Sequence, residues 1–358
     1  MSDVRSDSIA APSLIAAIAA IFEGCGLGPD AAALAAEDLV AADLEGVASH
    51  GVMLVPMYVQ RLKAGSVSTL SAGQIVIDQD AVIVIDAGNA MGQLTARQAV
   101  ELAIERAARH GLSAVAVRNA FHFGTAGRYA RMIADRGCIG LVMSNTRPLM
   151  PAPGGAAALT GNNPIAIAAP SSGSFHPEVD MALSAVAMGK IRNAATAGSA
   201  IPKGWAVDKE GADTTDARAA IEGMLLPAAG PKGFGLAFMI DLIAGGLSGG
   251  SIGAEVNPLY GDAEKPYGCS NLFIAINVAH FVSTDQFGIR AASEIARING
   301  SRRAPGVDRI YAPGELAFVG RQNSEGKASI AASALQGLID AGKTVGVDVT
   351  RYINEEKQ

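Results

Sequence analysis

The sequence predicts an α/β fold outside the Rossmann class. Three observations carry this. Short Val- and Ile-rich runs alternate with stretches of helical periodicity along the 358 residues. There are 42 glycines and an aromatic share of only 5%, which suits a chain of many tight turns. The G-x-G-x-x-G fingerprint of a standard dinucleotide fold is missing: Gly233-Phe234-Gly235 runs on to Phe238, and Gly88 to Gly92 has the wrong spacing. Walker A and G-x-S-x-G motifs are missing too.

Composition narrows the function classes. Hydrophobic residues make up 49% of the chain and charged residues 17%, which excludes a disordered protein. The net charge of −6 leaves no basic footprint for nucleic acid. No apolar run is long enough for a membrane span, and the acidic start Met1–Ser8, with one arginine, does not read as a signal peptide. The three cysteines, Cys25, Cys138 and Cys269, are far apart with no C-x-x-C pair. Reduced thiols in a cytoplasmic protein are expected, and the scattered histidines give no metal site.

Taken in order, residues 12–24, 29–44 and 50–64 have helical periodicity, and Pro29 suits a first helical turn. Gln74–Asp78 and Ala81–Asp86 read as strands. Thr95–His110 is an amphipathic helix with Thr95 as its expected cap. Strand Leu112–Val117 leads through His122 into a helix over Thr125–Arg136, and Ile139–Ser144 and Ile165–Ala169 are further strands. Asp180, among apolar residues, is either a buried functional carboxylate or the cap of a helix reaching about Asn193. His176 lies in a Ser/Gly loop and is expected to be exposed and inert. Gly204–Asp208 and Asn271–Asn277 are strands, Thr284–Ile298 a helix capped by Thr284, Ser301–Leu316 a loop, and about Gly326–Ala341 the last helix before a polar tail.

Four places carry candidate chemistry. The Gly- and Pro-rich turn Pro227–Gly235 precedes the apolar run Leu236–Leu247, so Lys232 and Gly233 stand at a helix N-terminus. Unpaired amides, the helix dipole and a lysine together suit a phosphate or pyrophosphate, although an ordinary loop with a surface lysine has the same pattern. Ser49 and His50 lie side by side between two helices, a possible catalytic junction, and Ser49 is equally a helix cap. His122 sits at a strand-to-helix turn, where rigid scaffolds present functional groups, but two phenylalanines flank it as they would a core histidine. Asp180 is the fourth.

Together these segments resemble the type 2 malate/L-lactate dehydrogenases, NAD(P)-dependent oxidoreductases with a non-Rossmann fold of their own, and the resemblance implies mixed sheets flanked by helices in two lobes. The resemblance covers nearly the whole chain. It rests on Ser49-His50-Gly51, Asn119 with His122-Phe123-Gly124, Gly161-x-Asn163-Pro164-Ile165-Ala166, Asp180-Met181-Ala182-x-Ser184, Ile201-Pro202-x-Gly204-Trp205, and Leu226-Pro227 through Gly235, in this order. It implies Ser49 and His50 as catalytic, Asp180 as their relay carboxylate, and His122 as a second histidine at the active site or cofactor. It places NAD or NADP on His122, Gly124, Thr125 and Ala126, on Thr146, on Asp180, Met181 and Ala182, on Lys232 and Gly233, on Arg290, and on Gly314, Glu315 and Leu316. Arg290, Arg302 and Arg303 are candidates for a 2′-phosphate. It further implies a homodimer whose cofactor sites are shared between subunits.

The chain departs from the family pattern in places. Many relatives carry an arginine four residues after the Ser-His histidine, resembling a clamp for the substrate carboxylate; here that position is Leu54. Gly-Thr-Asn-Pro reads Gly161-Asn162-Asn163-Pro164, and a common threonine is Leu183. The lobes implied are residues 1–118 with 298–358, carrying the Ser-His motif, and 119–297, binding the cofactor.

The expected reaction interconverts a small 2-oxo acid and its 2-hydroxy acid. The nicotinamide provides the hydride and a histidine the proton, since an imidazole pKa of roughly 6.5 lies near working pH. His50 leads as that group, with Asp180 orienting it and Ser49 as relay; His122 is the alternative. Reduction of a cyclic imino acid such as Δ1-pyrroline-2-carboxylate is the second reading, and a non-catalytic small-molecule-binding relative the third. The partner expected in every case is a small carboxylate.

Overall fold

Seven strands form the central sheet of this computed structural model, which describes residues 6–353. Parts of the acidic start and polar tail, residues 1–5 and 354–358, lie outside the described residues. The strand order is Gln74–Gln79, Val82–Asp86, Leu112–Ala120, Cys269–Asn277, Cys138–Ser144, Ile165–Ala168, Glu178–Met181. Val82–Asp86 and Leu112–Ala120 pair in parallel, joined by the crossover helix Gly92–His110. The other pairs in the sheet are antiparallel, so it is mixed, as expected.

The middle strands of the sheet are buried on both faces, while the edge strand Gln74–Gln79 is exposed throughout, and the period-2 alternation assigns residues to two cores. Ile83, Ile85, Val115, Val117, Val142 and Phe273 join the large core made with the N- and C-terminal helices. Val84, Ala116, Met143 and Leu272 face the opposite way, into a core with Ile191, Leu225, Ala237 and Ile240. The two cores are thus the two sides of one sheet, and its strand Leu112–Ala120 spans the 118/119 position.

Helices Ala11–Gly24, Pro29–Leu44 and Thr284–Asn299 lie close to their expected places. Several local expectations are corrected. Thr95 does not cap its helix, which begins at Gly92; the Thr95 side chain is buried and donates to the Gly92 carbonyl at 3.3 Å. Thr284 is likewise inside its helix, with Ser283 at the cap position. The expected helix 50–64 opens as two 3₁₀ turns, Ala48–His50 and Val52–Leu54, and becomes α-helical only over Val55–Ala64. The stretch read as the last helix begins as strand Lys327–Ala331, which alternates buried Ala328 and Ile330 with exposed neighbours and pairs with Ser6–Ala10; the helix is Ala332–Lys343. Helix Glu315–Asn323 and the short helix Ala217–Glu222, capped by Asp216, are too short for helical periodicity to show in sequence. Asp180 caps no helix: it lies in strand Glu178–Met181, and the next helix is Met188–Thr196.

Candidate active site

One end of the sheet gathers the candidate residues. Cys269 pairs with Ala120, Asn271 with Ser144, and Ile165 with both Met143 and Met181. These registers bring the segments just beyond the strand ends to one edge: His122, Tyr267, Thr146, Asn163 and Met181. A crevice outside strand ends is where α/β sheets present ligand-binding groups.

His122 is fixed from behind. Its Nδ1 lies 2.7 Å from the Tyr58 hydroxyl, which also donates to the His122 carbonyl at 3.2 Å and accepts from Gln93 Nε2 at 3.2 Å. Tyr58 is fully buried and packs edge-on against Phe121 at 4.9 Å. Space is tight here: a Cβ at Gly92 would fall 2.4 Å from the Phe121 carbonyl, so only glycine lets the crossover helix start against this turn. A phenol has one proton. With the Tyr58 proton on the carbonyl and the Gln93 amide donating, the third contact is made by His122 Nδ1–H donating to Tyr58, which leaves Nε2 with its lone pair. Burial, and then the neighbouring His50 charge, hold His122 down at about 3, so the ring is neutral near pH 7.

His50 stacks on His122, with ring centroids 5.4 Å apart. Its Nδ1 is 2.9 Å from Ser49 Oγ, and burial lowers its pKa as well. The turn holding this pair is built on Asp43, whose Oδ2 accepts from the Val52 amide at 2.7 Å. A Cβ at Gly51 would sit 2.1 Å from that oxygen, so the Ser-His-Gly glycine is the space Asp43 occupies. Desolvation raises the Asp43 carboxyl to about 6.

Asp180 does not hydrogen-bond His50 among the described residues. Its Oδ2 accepts from the Gly127 amide at 2.8 Å, in the first turn of helix Ala126–Ala134. The residue reaches solvent at the strand end, but its carboxyl is crowded by protein, and desolvation pushes it up to about 6.

Most of the expected cofactor segments adjoin one another. Gly124 is left-handed (φ 89°), Thr125 occupies the cap position of helix Ala126–Ala134, and buried Ala126 opens it. That helix meets Asp180 through Gly127. Glu178, two residues before Asp180, lies against Gly314: the Glu178 amide donates to Pro313 at 3.3 Å, and a Gly314 Cβ would fall 2.7 Å from Glu178 Cγ. On the other side the Leu183 amide donates to Asn162, whose Oδ1 accepts from Thr146 Oγ1 at 3.0 Å, and the Leu183 carbonyl accepts from Ala228. Gly233 packs on Ala228, where a Cβ would fall 2.0 Å from the carbonyl oxygen. Met181, Leu316 and Lys232 are exposed, and Ala182 is half-buried.

Two expected residues stand differently. The buried Glu315 carboxylate is committed to its own turn, accepting from the Ala312 amide at 2.9 Å and pairing with Arg309. Arg290 is exposed on helix Thr284–Asn299 and makes no ion pair among the described residues. His176, expected to be inert, is 2.9 Å from Asp135 and accepts from the Ser171 amide. Leu54, at the position of the absent arginine, is 1% exposed and fills the core. Tyr58, Gln93, Asp43 and Tyr267 were missed, because in sequence they read as ordinary helix and loop residues. Only the eight-residue offset from His50 to Tyr58, about two helical turns, hints that the two share a face.

The residues fit a dinucleotide. Gly230 (φ 60°) turns the chain into helix Pro231–Asp241, whose first amides have no helical acceptor, and Lys232 is exposed beside them. Gly124 and Gly314, both left-handed, would let backbone approach a bound cofactor closely.

The malate/L-lactate dehydrogenase family model matches residues 9–335. The L-sulfolactate dehydrogenase of Methanocaldococcus jannaschii is 35% identical over 335 residues, 93% of this chain and 96% of its own length. The NAD(+)-dependent ureidoglycolate dehydrogenase of Escherichia coli O157:H7 is 36% identical, covering 81% of this chain and 82% of its own. An NADP(+)-dependent (2R)-3-sulfolactate dehydrogenase from Chromohalobacter salexigens is 34% identical over 81% of this chain and 87% of its own. Among solved structures, the sulfolactate dehydrogenase of M. jannaschii superposes with TM-score 0.91 at 33% identity, covering 97% of this chain and all of that one. The Δ1-piperideine-2-carboxylate reductase of Pseudomonas syringae pv. tomato superposes with TM-score 0.84 at 29% identity, covering 94% and 99%. This chain belongs to the malate/L-lactate dehydrogenase family and is an NAD(P)-dependent oxidoreductase.

Proposed function

We propose that this enzyme interconverts a small 2-hydroxy acid and its 2-oxo acid, with His122 Nε2 exchanging the proton of the reacting oxygen. The observation that carries the assignment is the Tyr58 hydroxyl, whose three contacts are satisfied together when His122 Nδ1 donates to it. A neutral ring with a free Nε2 is the base that oxidation of an alcohol needs, and burial keeps the ring neutral; the same depression of its pKa disfavours the imidazolium that the reverse reduction needs. Bound NAD(P) supplies or takes the hydride. His50, stacked on His122, and Ser49, exposed beside it, pass the proton outward to solvent. The sequence favoured His50 in the central role with Asp180 orienting it; Asp180's bond to the Gly127 amide favours a part at the cofactor groove instead.

Lys232 and Gly233 are assigned to the cofactor pyrophosphate, and Gly124–Ala126, Thr146, Asp180–Ala182 and Gly314–Leu316 to the rest of the dinucleotide. Arg290 is kept as a contact supplied across a homodimer. A dimer is supported by the exposed apolar residues Leu236, Phe238, Met239, Leu242 and Leu247 along one helix, since clustered exposed apolar residues mark interaction surfaces. Unpaired Cys25, Cys138 and Cys269 suit a reducing compartment such as the cytoplasm, and no described helix is long and apolar enough to cross a membrane.

Likeness to a piperideine-carboxylate reductase supports a second reading, in which the proton goes to nitrogen and a C=N bond is reduced. Oxaloacetate, pyruvate, sulfopyruvate and Δ1-pyrroline-2-carboxylate, each with NADH and NADPH, separate the readings by loss of nicotinamide absorbance. Turnover of a 2-oxo acid well above that of the cyclic imine is expected. The reverse order establishes the second reading, and no turnover of either class overturns both.

A further inference from the structure

With Leu54 buried in the core, no guanidinium stands where many relatives place one beside the Ser-His pair. The sheet end nevertheless carries another arginine. Arg147 follows Thr146 beyond strand Cys138–Ser144, and it is exposed. Its backbone is anchored: the Thr146 amide donates to Asn163 Oδ1 at 2.9 Å, and the Thr146 hydroxyl to Asn162 Oδ1 at 3.0 Å. Its side chain is uncommitted, with no ion pair among the described residues and one long contact, 3.4 Å, to the neighbouring Pro148 carbonyl. By contrast Arg192 stacks on the Tyr260 ring at 5.7 Å, and Arg61 is buried with its guanidinium spent on the Pro258, Leu259 and Lys265 carbonyls.

Position decides what Arg147 reaches. Its strand and the strand that ends at His122 are separated by one strand, Cys269–Asn277, so the two chain ends stand roughly 10 Å apart. Tyr267 lies between them: its ring meets Phe121 edge-on at 6.3 Å. Burial pushes the Tyr267 phenol well above its ordinary range, and the Arg147 charge is among the groups pulling it back. A carboxylate bonded directly to the reacting carbon at His122 is held one bond from that carbon. The far end of a longer acid, laid along this edge of the sheet, would extend toward Arg147.

We propose that Arg147 sets specificity among small 2-oxo acids by binding the second, distal anionic group of a dianionic one, a carboxylate or sulfonate beyond the reacting carbon. The assignment rests on His122 as the site of the reacting oxygen. A charge-assisted contact of this kind is worth roughly 10- to 100-fold in affinity.

The test is calorimetric binding of oxaloacetate, sulfopyruvate and pyruvate to wild type, Arg147→Lys and Arg147→Ala, each loaded with the oxidised cofactor, which cannot reduce a 2-oxo acid. Wild type is expected to hold oxaloacetate or sulfopyruvate roughly 10- to 100-fold more tightly than pyruvate. Arg147→Ala should lose that preference with pyruvate affinity unchanged, and Arg147→Lys should keep part of it. Which of the two dianions gains more identifies the distal group as carboxylate or sulfonate. A wild type without the preference overturns the proposal, as does an alanine variant that retains it or loses cofactor affinity instead. Because the readout is binding, it stands apart from the turnover panel: an enzyme that prefers dianions but turns over no 2-oxo acid refutes the dehydrogenase reading and leaves Arg147 in place.

Discussion

The histidine pocket and the groove rim are built on opposite principles. In the pocket every group is held more than once. His122 is fixed through Tyr58 and Gln93, and the Ser-His turn through Asp43 and the missing Cβ of Gly51. At the rim Lys232 and Arg147 are exposed and make no ion pair among the described residues. The difference follows from what each does. A proton-transfer group must be held within a fraction of an ångström of productive geometry, and burial also sets its protonation state. A cation that receives an anionic ligand is more useful left without a protein counter-ion, because a resident partner would have to be displaced.

The largest effect expected from this contrast is in the pocket. His122→Ala should lower kcat by about 10²–10⁴-fold, the range of a positioned acid–base group, with little change in cofactor KM. His50→Ala should lose less, because solvent can replace an outward relay. Steady-state kinetics on both variants checks this. If His50→Ala is the more damaging, the central role returns to the residue the sequence favoured.

The rim should give a smaller and different loss. Lys232→Ala is expected to raise cofactor KM roughly 10-fold, with substrate KM and kcat little changed, since one exposed phosphate contact is lost from a set that also includes helix amides. Cofactor titration measured by nicotinamide fluorescence checks it. Equal loss of substrate and cofactor affinity would mean that the rim and pocket are not separable.

The same contrast explains what the sequence disclosed. Elements with strong periodicity, such as Pro29–Leu44 and Cys138–Ser144, were legible because one face or both meet a core. The candidate residues of the pocket were legible as types: a serine–histidine pair, a histidine at a strand end, a carboxylate among apolar residues. Their pairing was not. Tyr58 follows His50 within an apolar helix and reaches His122 across 64 residues of chain, and Asp43 lies beneath Gly51 only because two 3₁₀ turns fold the segment back. The strand Lys327–Ala331 was read as helix because its partner, Ser6–Ala10, lies at the far end of the chain and no local signal reports a pairing of that separation.

Asp180 stands between the two regions and yields the smallest effect, one of stability. Its carboxyl is raised to about 6 from an ordinary 3.8, first by desolvation and against the Gly127 amide, so the folded protein binds the proton more tightly than the unfolded chain does. The stabilising contribution is therefore complete below about pH 4 and is lost as pH rises through about 6. Asp180→Asn mimics the protonated form and keeps an oxygen for the Gly127 amide. It should melt a few degrees above wild type near pH 8 and match it near pH 4. His122 acts in the opposite sense: its depressed pKa removes stability on acidification between about 6.5 and 3, equally in both proteins, so it cancels in the difference. A melting difference that is the same at both pH values would show that the carboxyl is not desolvated. Asp180 would then belong with the open rim, and the Gly127 bond would be the ordinary capping of a helix end.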